Sequence, residues 1–209
     1  MLSAYHEALW RSLPEGLEPS CFSLRRSFLL ERVRAGERVL DVGCGEGQFT
    51  AALAAAGARA VGVDVAEEPL RRARSRAVER DLDLRRIELD GSWPLEDVSF
   101  DAVWAGEVIE HVIDTAAWMS EVRRVLRSGG RLLLSTPAHE RLALARVAAS
   151  PRAFATRFDP LSDHLRFYNR ASLTALLEGF GFEQIAVHGA GGLPGARRVL
   201  LAQAVRSRF

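Results

Sequence analysis

The chain has 209 residues, 48% of them hydrophobic, and a formal net charge of +1, the profile of one globular domain without the basic footprint of many nucleic-acid binders. All its basic residues are arginine, and its two cysteines, Cys21 and Cys44, suggest neither a disulfide framework nor a zinc cluster. No run is long and apolar enough to span a membrane. The first residues lack a charged stretch followed by an apolar core, so no signal peptide is expected and the cytoplasm is the expected location.

Residues 3–13 read as a short helix carrying Tyr5, Leu9 and Trp10 and ended by Pro14. Ser20 is the expected cap of a second helix over 21–34. Its inward face would carry Phe22, Leu24, Phe28, Leu29 and Val33, and its exposed face Arg25, Arg26 and Arg32. Then comes Arg38-Val39-Leu40-Asp41-Val42-Gly43-Cys44-Gly45-Glu46-Gly47-Gln48-Phe49-Thr50, which reads as strand, glycine turn and helix. Glycine permits positive φ and close approach of a ligand to the backbone, and the following helix N-terminus offers free N–H groups. A dinucleotide fingerprint would need a third glycine where Gln48 stands, which argues against a nicotinamide enzyme. Cys44 is read as a small turn residue rather than a nucleophile.

A helix over 48–56 should end at Gly57, and Ala58 to Asp64 should form a second strand closed by an acid. In nucleoside-binding α/β folds such an acid accepts hydrogen bonds from ribose hydroxyls. Residues 66–80 read as an arginine-rich helix, Arg86 to Gly91 as a third strand, and Phe100 to Ala105 as a fourth. Thr115 is the expected cap of a helix burying Trp118, Val122, Val125 and Leu126 and stopped by Gly129-Gly130. Arg131 to Pro137 reads as the fifth strand.

The combination of Asp41 with Gly43, Gly45 and Gly47, then Asp64, Asp90-Gly91, and Phe100-Asp101 through Gly129-Gly130, covers roughly residues 36–137. It resembles the class I S-adenosylmethionine (SAM)-dependent methyltransferases, specifically the type-11 group near the ubiquinone-biosynthesis O-methyltransferases. The resemblance implies a doubly wound α/β fold with a seven-stranded, mostly parallel sheet and one antiparallel strand in a terminal hairpin. It implies a single domain over 1–209, with a helical cap at 1–35 and a substrate-covering insert at 138–163. It also implies SAM as cofactor, wrapped by the turn around Gly43, Gly45, Gly47 and Gly106. Asp41 would order the loop, Asp64 would take the ribose and Asp90 the adenine amino group, with Trp93-Pro94-Leu95 lining the adenine slot. Arg26 on the N-terminal helix is the candidate for the cofactor carboxylate.

Within the insert, residues 139–147 read as a helix and Pro151 to Pro160 as loop. Its mix of arginine and phenylalanine suits either a local cap or contact with a lipid-like acceptor or membrane surface. Asn169 should cap a helix that buries Leu173, Leu176 and Leu177. Residues 182–188 and 198–205 should form the final strands, joined by the glycine-rich 189–195.

The chemistry is expected just after the fourth strand, in Gly106-Glu107-Val108-Ile109-Glu110-His111-Val112, because ligands of open α/β sheets bind at strand carboxyl ends. In a helical turn Glu107, Glu110 and His111 would share one face. Two carboxylates and an imidazole on one face can hold a divalent metal such as Mg²⁺, and the resemblance implies His164, after the insert, as a further ligand. Similar runs bind metal in ubiquinone-type O-methyltransferases and in small-RNA 3′-terminal 2′-O-methyltransferases. Without a metal, His111 packs the methionine end of the cofactor or acts as a general base, and Glu107 and His164 are the other candidate catalytic residues. The expected reaction is methyl transfer from SAM to the hydroxyl of a small or lipid-like acceptor. Two alternatives stand beside it: RNA 2′-O-methylation, which the net charge disfavours, and a non-catalytic SAM-binding regulator.

Overall fold

The computed structural model describes residues 2–76, 82–88 and 92–208. The described elements are α1 (Leu2–Ser12), α2 (Phe22–Leu30), β1 (Arg38–Val42), α3 (Gln48–Ala55), β2 (Arg59–Asp64), α4 (Glu67–Arg76) and β3 (Asp83–Arg86). They continue with β4 (Phe100–Gly106), α5 (Thr115–Val125), β5 (Leu126–Pro137), α6 (Arg141–Ala148), α7 (Pro151–Arg157), α8 (Arg170–Gly179), β6 (Phe182–Leu193) and β7 (Ala196–Arg206).

The strands form one seven-stranded sheet in the order β3-β2-β1-β4-β5-β7-β6. The pairs from β3 through β5 are parallel, and β7 runs antiparallel to both β5 and β6. The expected seven-stranded fold with its antiparallel strand is therefore present. The central strands are buried on both sides, as parallel sheets covered by helices must be. Side chains alternate between two cores. Leu40, Val103 and Leu132 join Met119 and Val122 of α5 and Leu173 and Leu177 of α8. Val39, Trp104 and Leu133 instead meet Phe28 and Leu29 of α2 and Phe49 and Leu53 of α3. This two-residue period places helices on opposite faces of the sheet.

The strand order reverses between β1 and β4. Chain leaving β1 turns toward β2 and β3, while β4 lies on the other side of β1. The crevice at the carboxyl ends of such a pair is where an open α/β sheet binds its ligand. Here the crevice is bordered by the glycine turn after β1 and the segment Glu107–His111 after β4.

Several local expectations are revised. Cys21 (φ 52), not Ser20, precedes α2, and it makes no side-chain cap. The described third strand spans Asp83–Arg86, starting before residue 86, with Leu84 packed over Gly62 and the last ladder bond running from Ile87 N to Asp64 O at 3.0 Å. Residues 89–91, including Asp90 and Gly91, and residues 77–81 lie outside the described residues. Asp114 rather than Thr115 caps α5, its side chain accepting from Ala117 N.

β5 begins at Leu126, and a shift of register between the Phe100 and Ala102 pairings accommodates Gly129 and Gly130 within it. The segment after Pro151 is helical, because Ser150 caps Ala153 N and proline is tolerated in the first helical turn. The glycine-rich 189–195 extends the final strands instead of separating them. Their turn is Pro194-Gly195, with Gly195 at φ 77, where proline presets the first position and glycine supplies the second. Asn169 caps α8 as expected, in a reciprocal pair with Ser172.

Candidate active site

The glycine turn is held from both sides. Gly43 and Cys44 donate to Val63 O at 2.8 and 3.0 Å. Thr50 Oγ1, one turn into α3, donates to Asp41 Oδ2 at 2.6 Å. Asp41 is buried and lines neither of the cavities described below, and burial pushes its carboxyl up to about 7. Gly43 sits at φ 67, and a Cβ there would lie 2.6 Å from Val108 Cγ2, so only glycine admits the β4 segment this close. Asp64, at the end of β2, accepts from Gly45 N at 2.9 Å and from Ala66 N at 3.0 Å. Burial raises its pKa, against the pull of those two N–H groups.

Two cavities meet over this turn. The first, of about 230 Å³, has Asp64, Val65, Ile87 and Trp93 on one side and Glu107 and His111 on the other. Trp93 stands edge-on to Trp118, giving the slot an apolar wall. Of the expected adenine wall, Trp93 lines the cavity, whereas Leu95 is buried in the core. The second cavity, of about 710 Å³, is lined by Arg25, Gly45, Gly106, Glu107, Glu110 and His164, among others. Gly43, Glu107, Trp10 and Leu13 belong to both walls. Gly47 lines neither and ends the turn at φ 75, with its N–H on Cys44 O at 2.9 Å.

The acidic segment after β4 is a non-helical turn, so the expected shared helical face does not form. Glu107 has φ 58, and its Oε1 accepts from Ser135 Oγ at 2.9 Å. That left-handed residue separates Glu107 from the others. Glu110, His111 and His164 come together, with potential ligand atoms all within 4.8 Å of one another, and Glu107 is not one of that group. Glu110 Oε2 accepts from Thr136 Oγ1 at 3.0 Å, while Oε1 is buried without a hydrogen-bond partner among the described residues. Burial, reinforced by Glu107, pushes the Glu110 carboxyl up to about 8.

His111 Nδ1 donates to Asp163 O at 3.0 Å, which leaves the Nε2 lone pair 3.9 Å from Glu110 Oε1. Burial lowers the His111 pKa, against the opposing charge of Asp163, and so favours the neutral ring. Its ring meets that of His164 edge-on, with centroids 4.8 Å apart.

Arg26 is exposed on α2, whereas Arg25 is 2% exposed and reaches the second cavity. Arg25 Nη1 donates to Ser20 O at 3.0 Å, and its guanidinium lies 4.9 Å from the Phe49 ring centroid. The charges of Glu107, Glu110 and Asp41 favour its cationic form against the cost of burial. The expectation of an exposed Arg25 is therefore reversed. Its position was legible in principle, since Phe22, Arg25 and Leu29 fall on one helical stripe. Two further residues were not read as site residues: His6, which looks peripheral in the sequence but lines the first cavity, and Trp10 of the first helix, which lines it too and also meets Gly45. His139, by contrast, faces Arg157 within the insert and lines neither cavity.

A family profile described as a methyltransferase domain matches residues 40–134. A probable S-adenosylmethionine-dependent methyltransferase of Mycolicibacterium smegmatis is 38% identical over 177 residues, covering 83% of this chain and 63% of that protein. A ubiquinone biosynthesis O-methyltransferase of Xylella fastidiosa is 33% identical over 171 residues, covering 79% of this chain and 69% of that protein. The chain thus spans less than two thirds of the length of the first of these relatives. Among solved structures, a Haemonchus contortus phosphoethanolamine N-methyltransferase, in complex with phosphomonomethylethanolamine and S-adenosylhomocysteine, superposes with a TM-score of 0.71. It is 18% identical, covering 97% of this chain and 57% of that one, and so speaks for the fold alone. The chain belongs to the class I SAM-dependent methyltransferases.

Proposed function

We propose that the protein transfers a methyl group from SAM to the hydroxyl oxygen of a small-molecule or lipid-like acceptor. The observation that carries this reading is the junction at Gly43 and Glu107, where a slot suited to a nucleoside meets a larger cavity that also holds Arg25, Glu110 and His164. The first cavity fits adenosine: Asp64 faces it as an acceptor for the ribose hydroxyls, and Ile87 and Trp93 offer apolar surface to a base. Arg25, rather than Arg26, is the cation placed to meet a carboxylate on the second-cavity side. When bound, SAM supplies a methyl group on a sulfonium, already a strong electrophile. The chain's own task is then to align the acceptor oxygen, exclude water and accept a proton.

Glu107 is the first candidate for that proton, because it lines both cavities and its carboxylate is held by Ser135. Burial raises its pKa, against the opposing charge of Arg25 and the Ser135 hydrogen bond, which makes its carboxylate a stronger base. His164, on the acceptor side, is the second candidate, and His111 Nε2 the third.

Glu110, His111 and His164 also fit a divalent cation. The unpartnered Glu110 Oε1, the His111 Nε2 lone pair and a His164 ring nitrogen would hold it, an oxygen-and-imidazole donor set suited to such an ion. Such an ion would lower the pKa of an acceptor hydroxyl. This observation also keeps a metal-assisted nucleic-acid hydroxyl acceptor as the second reading.

Calorimetric titration with S-adenosylhomocysteine tests the cofactor assignment. Micromolar binding to wild type that is lost in Asp64→Ala is expected, and absence of binding to folded wild type would sink the proposal. A separate Mg²⁺ or Mn²⁺ heat, absent in Glu110→Ala, is the expected signature of the metal set. Acceptor screening with labelled SAM then separates small hydroxyl compounds from RNA.

A further inference from the structure

Beyond Pro137, on the insert side, lies a third cavity of about 360 Å³ between α6, α7 and β7. One wall is apolar, formed by Ala143, Leu144 and Val147, and the other is cationic, formed by Arg157, Arg197 and Arg198. Among the described residues none of these three guanidiniums has an ion-pair partner. Arg157 Nη2 donates to His139 Nε2 at 2.9 Å, and Arg197 Nη1 donates to Gly192 O at 2.8 Å. His139 Nδ1 lies 3.1 Å from Pro137 O, so it is the donor there, and Nε2 meets Arg157 as a neutral acceptor. The ring therefore brings no negative charge. Glu140, at the start of α6, is already committed: it accepts from Arg197 N at 3.1 Å and pairs with Arg170 at 3.4 Å.

Three cations line one partly apolar hollow, Arg157 and Arg198 exposed and Arg197 half-buried, and their summed charge favours an oxyanion among them. The guanidinium fork matches carboxylate and phosphate oxygens. Arg198 lines this hollow and also the second cavity, whose walls include Glu18, Glu107, Glu110 and His164. The two spaces therefore share a wall at Arg198.

We propose that the insert hollow receives a carboxylate or phosphate carried by the methyl acceptor itself, with Arg157 and Arg198 as its ligands, so that the acceptor is an anionic hydroxy compound. Its apolar body would rest on Leu144 and Val147 while its hydroxyl points to Glu107. The assignment rests on the methyltransferase reading for the acceptor, but the anion site can be examined without it.

The experiment uses the full chain, first titrated with S-adenosylhomocysteine and then kept saturated with it. Three probes follow at matched ionic strength: 3,4-dihydroxybenzoate, its uncharged methyl ester, and inorganic phosphate. The acid is expected to bind more tightly than the ester, and phosphate to compete with the acid alone. Arg157→Gln and Arg198→Gln should each weaken the acid about tenfold, as expected for loss of a charge-assisted pair, leaving the ester and S-adenosylhomocysteine unchanged. Equal binding of acid and ester, or equal weakening of both in the variants, would overturn the proposal.

If S-adenosylhomocysteine fails to bind, the methyltransferase reading falls on its own. Phosphate-induced NMR shifts at His139 and Arg198 then decide the hollow: shifts lost in Arg157→Gln support the anion site, and no shifts in wild type refute it. Sedimentation with phosphatidylglycerol vesicles, lost in the same variants while acid and ester bind alike, would assign the arginines to a lipid surface and overturn the acceptor assignment.

Discussion

Gly43 and Glu110 carry the strongest constraints in the site. At Gly43 a methyl group meets Val108 at 2.6 Å and the backbone is left-handed. That conformation alone costs a non-glycine residue about 1–2 kcal/mol. Gly43→Ala should therefore lower S-adenosylhomocysteine affinity by more than about tenfold, measured by calorimetry, because relief of the clash moves the turn or the Glu107 segment. For Glu110, a pKa raised in the fold from the ordinary carboxylate value to about 8 means that the native state binds the proton more tightly than the unfolded chain. Its contribution to stability is full below pH 4.5 and is lost as pH rises through about 8. Asp41, raised to about 7, acts with the same sign. The ligand-free protein should thus lose urea resistance between pH 5 and pH 8, and Glu110→Gln should flatten that decline without abolishing it. An unchanged slope in the variant would remove the buried carboxyl as its cause.

Among the elements, α1 is tied over the first cavity by polar contacts rather than by a broad apolar face. Glu7 accepts from Glu67 N and Glu68 N at 2.9 and 3.1 Å, covering the N-terminus of α4. From α4, Arg72 reaches back to Trp10 O at 2.8 Å, Leu13 O at 3.0 Å and Glu46 at 3.2 Å. Arg72→Leu removes that anchor and leaves the Glu46 carboxylate buried beside the glycine turn. Hydrogen exchange in residues 4–12 should rise and S-adenosylhomocysteine should dissociate faster, since Trp10 lines both cavities. The α8 cap is a simpler case. Asn169→Ala removes one arm of the reciprocal pair with Ser172, at about 1 kcal/mol, or roughly 2–4 °C in Tm for a chain of this size, with cofactor affinity unchanged.

For the whole molecule, the two-sided sheet forms a rigid floor and the site lies between segments that cross above it. A ligand bound only by the folded form at a hundredfold excess over Kd stabilises by about 2.7 kcal/mol, which is roughly 5–10 °C in Tm. S-adenosylhomocysteine should give a shift of that size in wild type and little in Asp64→Ala, read by thermal melt. Added Mg²⁺ should give a further shift that Glu110→Gln removes.

The sequence by itself determined the sheet and the position of its crevice, because apolar alternation, glycine turns and helix stops are local signals repeated along the chain. Gly43 and Asp64 were legible for the same reason, since each closes a strand, whereas Gly47, which opens α3, lines neither cavity. Tertiary structure alone decided which polar side chains converge. Glu107 turned from Glu110 at a left-handed residue that no periodicity announces. Thr136 and Asp163, 26 and 52 positions along the chain from their partners, fixed Glu110 and His111. Arg25 displaced Arg26 because one helical step of 100° separates a core-facing cation from a solvated one. The arginine-lined hollow arose only where α6, α7 and β7 cross. Local patterning encodes what each element buries, whereas a site is made where distant elements meet, and that meeting is set by packing.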